Sequence, residues 1–430
     1  MTKKLSTDPY KGVRDFYPED MFVQNHIFNA MKQTAESFGY SEYTASVLEP
    51  AELYLAKSGE ELAGKQTYTF KDRGDRDVTL RPEMTPTVAR MVAARKRELS
   101  FPLRWYSIPN LFRYEQPQRG RLREHWQFNV DIFGVKNNEA ETEVLLVAHS
   151  LMKNLGAQDT DFEIRINDRR IMQALYERFD LTDEEALSAM KAIDKKDKTP
   201  IQEFKDALTA IFKRDDAVTE FVHALESNKK LIEVLGEDHP HVQGLARLID
   251  ELSTLGVTNV VFDPTITRGL DYYTGIVFEI FDTDPENRKA LFGGGRYDDL
   301  LTLFGNDTVP AVGFGAGDVR LRDFLETHNL LPAYRPTTQL YIGVLDGAFV
   351  EAQQLAHTLR KEGVATAIDY TEKSAGDQLK KALTDAIPFF CAIGAREIDQ
   401  KRITIKNLTT REEHTCDIGD SASISAFLTR

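Results

Sequence analysis

The sequence of 430 residues has little cysteine and no long hydrophobic run. Cys391 and Cys416 are too few for a disulfide framework and lack the spacing of metal ligands, so a reducing compartment is expected. No apolar stretch approaches the length of a membrane span, and the residues after Met1 are too polar for a signal peptide. We therefore predict a cytoplasmic protein without a membrane partner.

Acidic residues outnumber basic ones, 68 to 54. The formal net charge is -14, which argues against a general coat of nucleic acid, although a local basic patch can still bind it. Hydrophobic residues make up 41% and charged residues 28% of the sequence, as in ordinary globular proteins. A chain of 430 residues is long for one domain, so two or three domains are expected.

The most informative stretch covers residues 112–131. Two strand-like ends flank a loop that contains Pro117 and Gly120, and this order predicts a β-hairpin. The charged side chains of the hairpin are Arg113, Glu115, Arg119, Arg121, Arg123, Glu124 and Asp131. A solvated hairpin held by salt bridges is one interpretation, because charge clusters usually lie on the surface.

A ligand-binding cleft is the other interpretation of the hairpin. Residues four apart share a face of a strand, so Gln127 and Asp131 point the same way, and Arg113 and Glu115 can do so on the partner strand. Guanidinium groups bind phosphate oxygens, whereas amides and carboxylates hold an ammonium group. Such a cleft suits a polyphosphate beside a small zwitterion. The hairpin alone does not decide between the two interpretations.

A second candidate site lies at a strand-to-helix junction. Two predicted strands, near residues 68–70 and 78–80, precede a helix predicted over residues 87–97. Between the second strand and the helix lie Glu83 and Thr85, a carboxylate and a hydroxyl that a rigid sheet can aim at a ligand. Alternatively, Thr85 caps the helix.

The middle of the chain predicts a helical insertion. Residues 168–254 are polar, helical in pattern and free of strand signals. Strand patterns return at residues 257–262. We therefore expect a domain formed by residues 1–167 and 256–330, with a helical domain inserted over residues 168–255.

The chain after residue 336 predicts a separate domain. Strand and helix patterns alternate through residues 337–430, behind a linker at 331–336 that contains two prolines. This alternation predicts a small, largely parallel, doubly wound sheet of ordinary domain size. The region contains no catalytic constellation, which favours a binding role.

Four motifs, taken in order, resemble those of the histidyl-tRNA synthetases, a family of class II aminoacyl-tRNA synthetases. Residues 112–134 resemble motif 2, residues 268–279 and 293–300 resemble two signature peptides of the family, and residues 313–321 resemble motif 3. The resemblance covers nearly the whole chain. It implies an α/β protein with an α+β catalytic domain of antiparallel sheet and flanking helices, a helical insertion, and a C-terminal α/β anticodon-binding domain.

The resemblance implies a two-step reaction. Histidine attacks the α-phosphate of ATP to give histidyl-adenylate and pyrophosphate, and the histidyl group then passes to the 3′ end of tRNA(His). The implied partners are L-histidine, ATP and tRNA(His), and a homodimer is expected. Mg2+ would travel with the ATP, so no dedicated metal site is expected. Positioning and charge stabilisation are what such phosphoryl chemistry needs.

Site residues are implied at the matching motif positions. The implied catalytic residues are Arg113, Arg268 and Arg320. The implied histidine-binding residues are Glu83, Met84, Thr85, Arg113, Gln127, Asp131, Arg268, Tyr272, Tyr273 and Tyr297. The implied ATP-binding residues are Arg113, Glu115, Arg123, His125 and Arg320. Asp131, Tyr273 and Tyr297 would form the imidazole pocket, whereas Tyr272 has an alternative interpretation as a core residue.

Four positions depart from the family pattern. Ser46 stands where motif 1 usually has its dimer-interface proline, and Met84 stands where many bacterial members have glycine. His125 replaces a phenylalanine that stacks on adenine, and a titratable ring can make ATP affinity depend on pH. Asp318 opens a triplet, residues 318–320, that departs from the usual hydrophobic-Glu-Arg of motif 3. None of these changes removes a key arginine, so catalysis is expected to survive.

Non-catalytic relatives are the competing interpretation: a regulatory subunit of ATP phosphoribosyltransferase, a histidine or tRNA sensor, or a pure tRNA-binding protein. The regulatory subunits lack the anticodon-binding domain that is expected here from about residue 339 onward. Sensors tend to lose catalytic arginines, and Arg113, Arg268 and Arg320 are all present. A pure tRNA-binding protein would not need an intact histidine pocket.

Overall fold

The computed structural model describes residues 5–55, 66–194, 199–266, 272–287 and 289–428. The chain divides into two compact units, Met1–Pro332 and Ala333–Arg430. The boundary between them lies within the predicted linker. Each unit has a sheet and a hydrophobic core of its own.

Strands of the first unit form two sheets. The described strands are β1 (Ser41–Glu42), β2 (Leu48–Pro50), β3 (Tyr68–Lys71), β4 (Asp77–Leu80), β5 (Leu103–Ser107), β6 (Asn110–Phe112), β7 (Glu124–Phe133), β8 (Phe162–Asp168), β9 (Val260–Phe262), β10 (Ile276–Asp282), β11 (Ala290–Arg296) and β12 (Ala311–Gly317). The large sheet has the order β1-β5-β7-β12-β11-β10-β8-β9, with β6 paired to β7. Its neighbours run antiparallel, except that β1 is parallel to β5 and β8 is parallel to β9.

Helices cover the hydrophobic face of the large sheet. The described helices of the first unit are α1 (Pro18–Ser37), α2 (Glu52–Leu55), α3 (Thr85–Arg95), α4 (Glu139–Asn154), α5 (Arg169–Arg178), α6 (Asp183–Asp194), α7 (Ile201–Phe212), α8 (Asp215–Ala224), α9 (Asn228–Leu235), α10 (Pro240–Thr254) and α11 (Asp318–Thr327). Ile27 of α1, Val144 of α4 and Leu321 of α11 are fully buried in one core with the sheet. These three helices therefore pack against the apolar face of the sheet.

Alternation along β7 determines which side chains face the candidate site. Phe128 and Val130 are buried in the core. Gln127, Asn129 and Asp131 alternate with them and line a cavity on the opposite face. Since strand residues two apart share a face, the ten-residue length of β7 places three polar side chains in a row.

The helical tract predicted after residue 168 is confirmed within the described part of the chain. Helices α5 to α10 follow one another with no strand between them. Leu175, Phe204, Phe221 and Leu245 from these helices lie in the same hydrophobic cluster as the large sheet. The tract therefore extends the core of the first unit.

The strand-to-helix junction has the predicted layout. Strands β3 and β4 pair antiparallel and are joined by a charged turn at residues 72–76. Strand β2 pairs with the other side of β4. Helix α3 begins at Thr85, two residues earlier than predicted, and Met84 is its N-cap residue without a side-chain cap. Thr85 therefore does not cap the helix, and its side chain lines the cavity.

The second unit is a five-stranded mixed sheet with helices. Its described elements are β13 (Leu340–Val344), α12 (Phe349–Lys361), β14 (Thr366–Ile368), α13 (Ala375–Thr384), β15 (Phe389–Ile393), α14 (Ala395–Gln400), β16 (Arg402–Asn407), β17 (Glu413–Asp417) and α15 (Ser421–Leu428). The order is β14-β13-β15-β16-β17, with only the first three strands parallel. The expectation of a largely parallel sheet is therefore wrong for β16 and β17. Their connection is too short for a crossover, so they form an antiparallel hairpin.

The two cysteines lie in the second unit as buried, free thiols. Burial raises the pKa of the Cys391 thiol to about 12, so this side chain behaves as a small apolar residue. Among the described helices, none has both the length and the hydropathy that crossing a membrane requires.

Candidate active site

A cavity of about 1940 Å³ lies over the polar face of the large sheet. Pockets for one small molecule usually enclose about 300–1000 Å³. This cavity therefore has room for more than one ligand. The predicted site residues that line it are Glu83, Thr85, Arg113, Glu115, His125, Gln127, Asp131, Tyr272, Tyr273, Tyr297 and Arg320.

Glycines of β12 make room for the polar side chains of β7. Gly313 is paired with Asp131, and a Cβ atom on Gly313 would lie 2.3 Å from Asp131 Oδ1. A Cβ atom on Gly315 would lie 2.7 Å from the Gln127 Cδ atom. Real Cβ atoms do not approach other atoms this closely, so glycine at both positions lets Asp131 and Gln127 lie across the neighbouring strand.

The three consecutive glycines lie inside β11. A Cβ atom on Gly294 would lie 2.0 Å from the carbonyl oxygen of Gly313, and one on Gly295 would lie 2.9 Å from the Tyr273 Cδ1 atom. Side chains at these positions would collide with the neighbouring atoms, so the close approach requires glycine. The glycines let a neighbouring strand on one side and an aromatic ring on the other lie against the backbone.

A buried carboxyl–phenol pair lies in the cavity wall. The Tyr297 hydroxyl donates a hydrogen bond to Asp131 Oδ1, and both residues are buried. Burial raises the pKa of Asp131 to about 7, and the hydrogen bond from Tyr297 only partly opposes this rise. Burial and the nearby Asp131 carboxylate raise the pKa of Tyr297 well above its ordinary value. Tyr297 therefore stays a donor, whereas Asp131 changes its charge near neutral pH.

Glu83 is held by a tyrosine from across the cavity. It is 3% exposed, and the Tyr272 hydroxyl donates to its Oε2 atom over 3.1 Å. Tyr272 is itself buried, as expected of a core residue, but its hydroxyl also positions the Glu83 carboxylate, which lines the cavity. Met84 does not line the cavity and packs with Val88 and Val92 in a hydrophobic cluster. A role for Met84 in histidine binding stays a prediction.

Arg113 and Glu115 lie in the loop that follows β6. The Arg113 Nε atom donates to the carbonyl oxygen of Pro82 over 2.9 Å, which joins the hairpin to the segment that carries Glu83. An oxygen of Glu115 lies 3.8 Å from the Arg121 guanidinium. The cleft predicted from Arg113, Glu115 and β7 is therefore present, although the two charged residues are not on a strand.

Arg320 lies under the tip of the hairpin. A Cβ atom on Gly120 would lie 2.4 Å from the Arg320 Cζ atom, so the loop backbone lies directly on the guanidinium. Burial lowers the pKa of Arg320, the positive charges of Arg121 and Arg119 lower it further, and Asp323 opposes them. Guanidinium groups whose positive charges act on one another in this way favour a polyanionic ligand.

His125 lines the cavity as a neutral ring. Burial lowers the pKa of its imidazole to about 3, with further contributions from the positive charges of Arg113 and Arg14. A ring with this pKa stays uncharged throughout the neutral range. The expected dependence of ATP affinity on protonation of His125 is therefore wrong, and stacking needs only the neutral ring.

Arg123 lies behind the hairpin and does not line the cavity. Its guanidinium carbon is 4.3 Å from the centre of the Tyr114 ring and 5.6 Å from that of Tyr10. Its Nε atom donates to the carbonyl oxygen of Glu115 over 3.2 Å. These contacts stabilise the hairpin, and direct binding of ATP by Arg123 stays a prediction.

Comparison with known proteins assigns the chain to a family. The profile described as "Histidyl-tRNA synthetase" matches residues 12–320, and the profile described as "Anticodon binding domain" matches residues 339–424. A histidine–tRNA ligase of Leptospira biflexa is 41% identical over 426 residues, which cover 97% of each chain. The chain belongs to the histidyl-tRNA synthetase family.

Solved structures of histidyl-tRNA synthetases have the same fold. The enzyme from Nostoc sp. PCC 7120 superposes with a TM-score of 0.82 at 20% identity, over 99% of this chain and 100% of that one. The apo structure from S. aureus gives a TM-score of 0.72 at 26% identity, over 99% and 100% of the two chains. The predicted fold class is confirmed.

The unusual Asp318 in motif 3 of this synthetase-family chain has a structural explanation. It is fully buried at the start of α11 and accepts hydrogen bonds from Arg14 over 2.7 Å, from Gln24 over 2.9 Å and from the Trp126 backbone N–H over 2.9 Å. The carboxylate thus joins the N-terminal segment, α1 and β7 to the helix that carries Arg320. Its partners were not predictable, because they are far away in the sequence.

One predicted site residue is not described by the structure, and some residues that line the cavity were not predicted. Arg268 lies outside the described residues, so its catalytic role stays a prediction. Asn129 and Glu279 line the cavity although neither was predicted to be a site residue. The sequence did contain a signal for Asn129. It lies between Gln127 and Asp131 in a strand, where residues two apart share a face.

Proposed function

We propose that this member of the histidyl-tRNA synthetase family is a histidine–tRNA ligase. It activates L-histidine with ATP to give histidyl-adenylate and pyrophosphate, and it then transfers the histidyl group to the 3′ end of tRNA(His). The observation that supports this most strongly is a single cavity lined both by the buried Asp131–Tyr297 pair and by Arg113 and Arg320. One part suits an imidazole and the other suits phosphates.

The histidine side chain is recognised by Asp131, Tyr297 and Tyr273. An ionised Asp131 accepts a hydrogen bond from one imidazole N–H, and a tyrosine hydroxyl donates to the unprotonated ring nitrogen. An amino acid that lacks these nitrogens makes neither hydrogen bond. A site of this kind rejects such analogues strongly, because the buried polar groups lose their hydrogen bonds.

The α-amino group of histidine is held by three acceptors. Glu83, Thr85 and Gln127 supply a carboxylate, a hydroxyl and an amide oxygen, all of which line the cavity. Tyr272 orients Glu83 through its 3.1 Å hydrogen bond. The carboxylate of histidine is left free to react.

Arginines position ATP and the reacting carboxylate. Arg113 binds the α-phosphate and the carboxylate, Arg268 stabilises charge on the phosphorus at the transition state, and Arg320 binds the γ-phosphate. A carboxylate oxygen of histidine forms a bond to the α-phosphorus while the bond to pyrophosphate breaks. Fixed positive charges lower the barrier to such a step because they need no reorganisation.

The remaining ATP contacts and the metal complete the first step. His125 stacks on adenine as a neutral ring, and Glu115 and Arg123 complete the nucleotide site. Mg2+ enters with the ATP phosphates. Among the described residues, no cluster of three or more His, Cys, Asp or Glu side chains could hold a metal ion.

Transfer to tRNA uses the rest of the chain. In the second step a hydroxyl of the terminal ribose attacks the carbonyl carbon of the adenylate, and AMP leaves. Residues 1–167 and 256–330 form the catalytic domain, residues 168–255 support the acceptor arm, and residues 337–430 bind the anticodon. The cavity is larger than one small-molecule site, which leaves room for the end of the tRNA.

Two further expectations stay predictions. A homodimer follows from the family resemblance, although Ser46 removes the usual motif 1 proline. Sedimentation equilibrium would distinguish a dimer from the monomer mass of 48.8 kDa. A cytoplasmic location is the other expectation, and fractionation of the source cells would test it.

A non-catalytic relative is the competing function. Regulatory subunits of ATP phosphoribosyltransferase would not need the region that matches the anticodon-binding profile at residues 339–424. The arginines at 113 and 320 are also retained beside the cavity. Both observations favour the ligase.

Charging of tRNA with labelled histidine tests the proposal. We expect the protein to charge purified tRNA(His), and Arg113→Ala to reduce the rate by at least about 100-fold, because a group that stabilises transition-state charge is lost. Arg95→Ala is the matched control, since Arg95 is an exposed arginine at the end of α3. Failure of the folded protein to charge tRNA, or equal rates for Arg113→Ala and the control, would contradict it.

A further inference from the structure

A segment near the N-terminus runs between the two elements that carry the cavity arginines. We call residues Tyr10–Arg14 the N-terminal strap. On one side, the carbonyl oxygen of Gly12 accepts a hydrogen bond from the Arg123 backbone N–H over 2.7 Å. A Cβ atom on Gly12 would lie 2.8 Å from Arg123 Cγ and 2.9 Å from Pro117 Cγ. The strap therefore lies directly against the hairpin.

The side chain of Arg123 strengthens this attachment. Its Nη1 atom donates to the Tyr10 hydroxyl over 3.0 Å and to the carbonyl oxygen of Lys11 over 3.4 Å. Its guanidinium lies between the rings of Tyr10 and Tyr114. Cation–π contacts and hydrogen bonds thus fix the returning arm of the hairpin to the strap.

The other end of the strap is attached to α11. Arg14 donates to Asp318 Oδ2 over 2.7 Å, and the Asp318 side chain is completely buried. Asp318 also accepts from the Trp126 backbone N–H of β7. A buried ion pair with further hydrogen bonds is rigid, because removing either partner would leave a charge without compensation. Arg320 lies two residues after Asp318 on the same helix.

We propose that the N-terminal strap is a positioning element for ATP, which holds the hairpin and Arg320 at a fixed separation. The inference rests on the proposed assignment of Arg113 and Arg320 to ATP phosphates. None of the strap residues lines the cavity in the described part of the chain. The strap acts through Arg123 and Asp318. These contacts set the distance between Arg320 and the hairpin residues Arg119 and Arg121, whose positive charges repel it when no ligand is bound.

The strap should affect ATP more than histidine. The histidine contacts come from Glu83 and Thr85, from Gln127 and Asp131 of β7, and from the residues near Tyr297. The strap contacts β7 at its first residues, Glu124 and Trp126. The phosphate contacts come from the hairpin loop, whose backbone at Gly120 lies on Arg320. A small displacement of the hairpin would therefore change the contact with Arg320, whereas Arg113 is also held by the carbonyl oxygen of Pro82.

Gly12→Ala and Gly39→Ala form a matched pair for the test. Both glycines have positive φ values, +89° and +77°, so alanine strains the backbone at each. Only at Gly12 does the new methyl group collide with the hairpin, because nothing lies within 4 Å of a Cβ atom on Gly39. The pair separates displacement of the hairpin from backbone strain.

ATP–pyrophosphate exchange with histidine gives the readout. We expect Gly12→Ala to raise the KM for ATP by at least about tenfold, since small misplacements at a reaction centre cost up to about 100-fold. The KM for histidine should change less than about twofold, as for Gly39→Ala. Equal KM values for ATP in the two variants, or equal increases for ATP and histidine, would overturn the proposal.

Tyr10→Phe keeps the proposal testable if Gly12→Ala does not fold. It removes one hydroxyl from an exposed side chain, and Tyr17→Phe is its control, because Tyr17 is also exposed. We expect Tyr10→Phe to raise the KM for ATP about two- to fivefold, as expected for the loss of one exposed hydrogen bond for which water competes, with no change for histidine. No change would overturn the proposal. If the wild-type protein showed no exchange, the assigned function would fail instead.

Discussion

At the scale of single residues, burial and hydrogen bonding act on Asp131 in opposite directions. Burial raises its pKa and the Tyr297 hydroxyl lowers it, and burial dominates, so that the pKa rises from 3.8 to about 7. The unprotonated form is the one that accepts a hydrogen bond from an imidazole N–H. The affinity for histidine should therefore increase as pH rises through about 7, because the carboxylate ionises.

The pH profile of the KM for histidine tests this. One unit below the pKa, about one tenth of the carboxyl groups are ionised, so the KM at pH 6 should be about tenfold above its value at pH 8.5. Asp131→Asn is the control, since its amide does not titrate, and the variant retains only the titration of free histidine. A wild-type profile that matches the variant's profile would contradict the assignment of Asp131.

At the scale of elements, a buried ion pair joins β11 to α4. Both Arg296 nitrogens Nε and Nη2 donate to the Glu141 carboxylate over 2.6 Å, and Asp298 lies 3.2 Å from Nη1. The Glu141 side chain is completely buried. Arg296 is therefore a structural residue that pairs with both carboxylates, and Glu141 is its main partner.

Arg296→Met should destabilise the first unit strongly. It leaves Glu141 buried without its counter-charge, which costs about 3–5 kcal/mol of the free energy of unfolding. The control is Arg322→Met on α11, whose ion pairs with Asp20 and Glu326 are partly exposed and worth about 1 kcal/mol or less. Urea unfolding of both variants provides the comparison, and a similar loss in the two would show that the Arg296 pair is not important for stability.

Local patterns determined the elements better than the contacts between them. Period-two alternation identified Gln127 and Asp131 on one face of β7, because that signal lies within a few residues. In contrast, Arg14 and Asp318 are 304 positions apart, and no sequence pattern links them. The same reason explains why the antiparallel pairing of β16 and β17 was not predicted. The direction in which a strand pairs depends on its connection to the neighbouring strand, and not on its own residues alone.

Site geometry was predictable only in part. The glycines of β12 have a weak local signal, since their role depends on the side chains that lie across them from β7. The charge state of His125 depends on burial and on Arg113 and Arg14, so a sequence-based expectation of titration failed. Most of the site residues that the family pattern identified nevertheless line the cavity, because their order along the chain is specific.

At the scale of the whole molecule, the proposed function divides between the two compact units. The first contains the cavity, and the second contains the region that matches an anticodon-binding profile. From the proposed function we expect adenylation to need only the first unit and tRNA charging to need both. A cavity larger than a small-molecule site agrees with a reaction that brings together histidine, ATP and the end of a tRNA.

ATP–pyrophosphate exchange, measured with each of the twenty amino acids, tests the central claim most directly. Exchange requires formation of the adenylate but no tRNA, so it reports on the cavity alone. We predict exchange with histidine and none above background with the other nineteen, and loss of exchange in Arg268→Ala with the fold unchanged by circular dichroism. A folded protein that binds histidine without catalysing exchange would contradict the claim and identify the chain as a sensor or regulatory subunit.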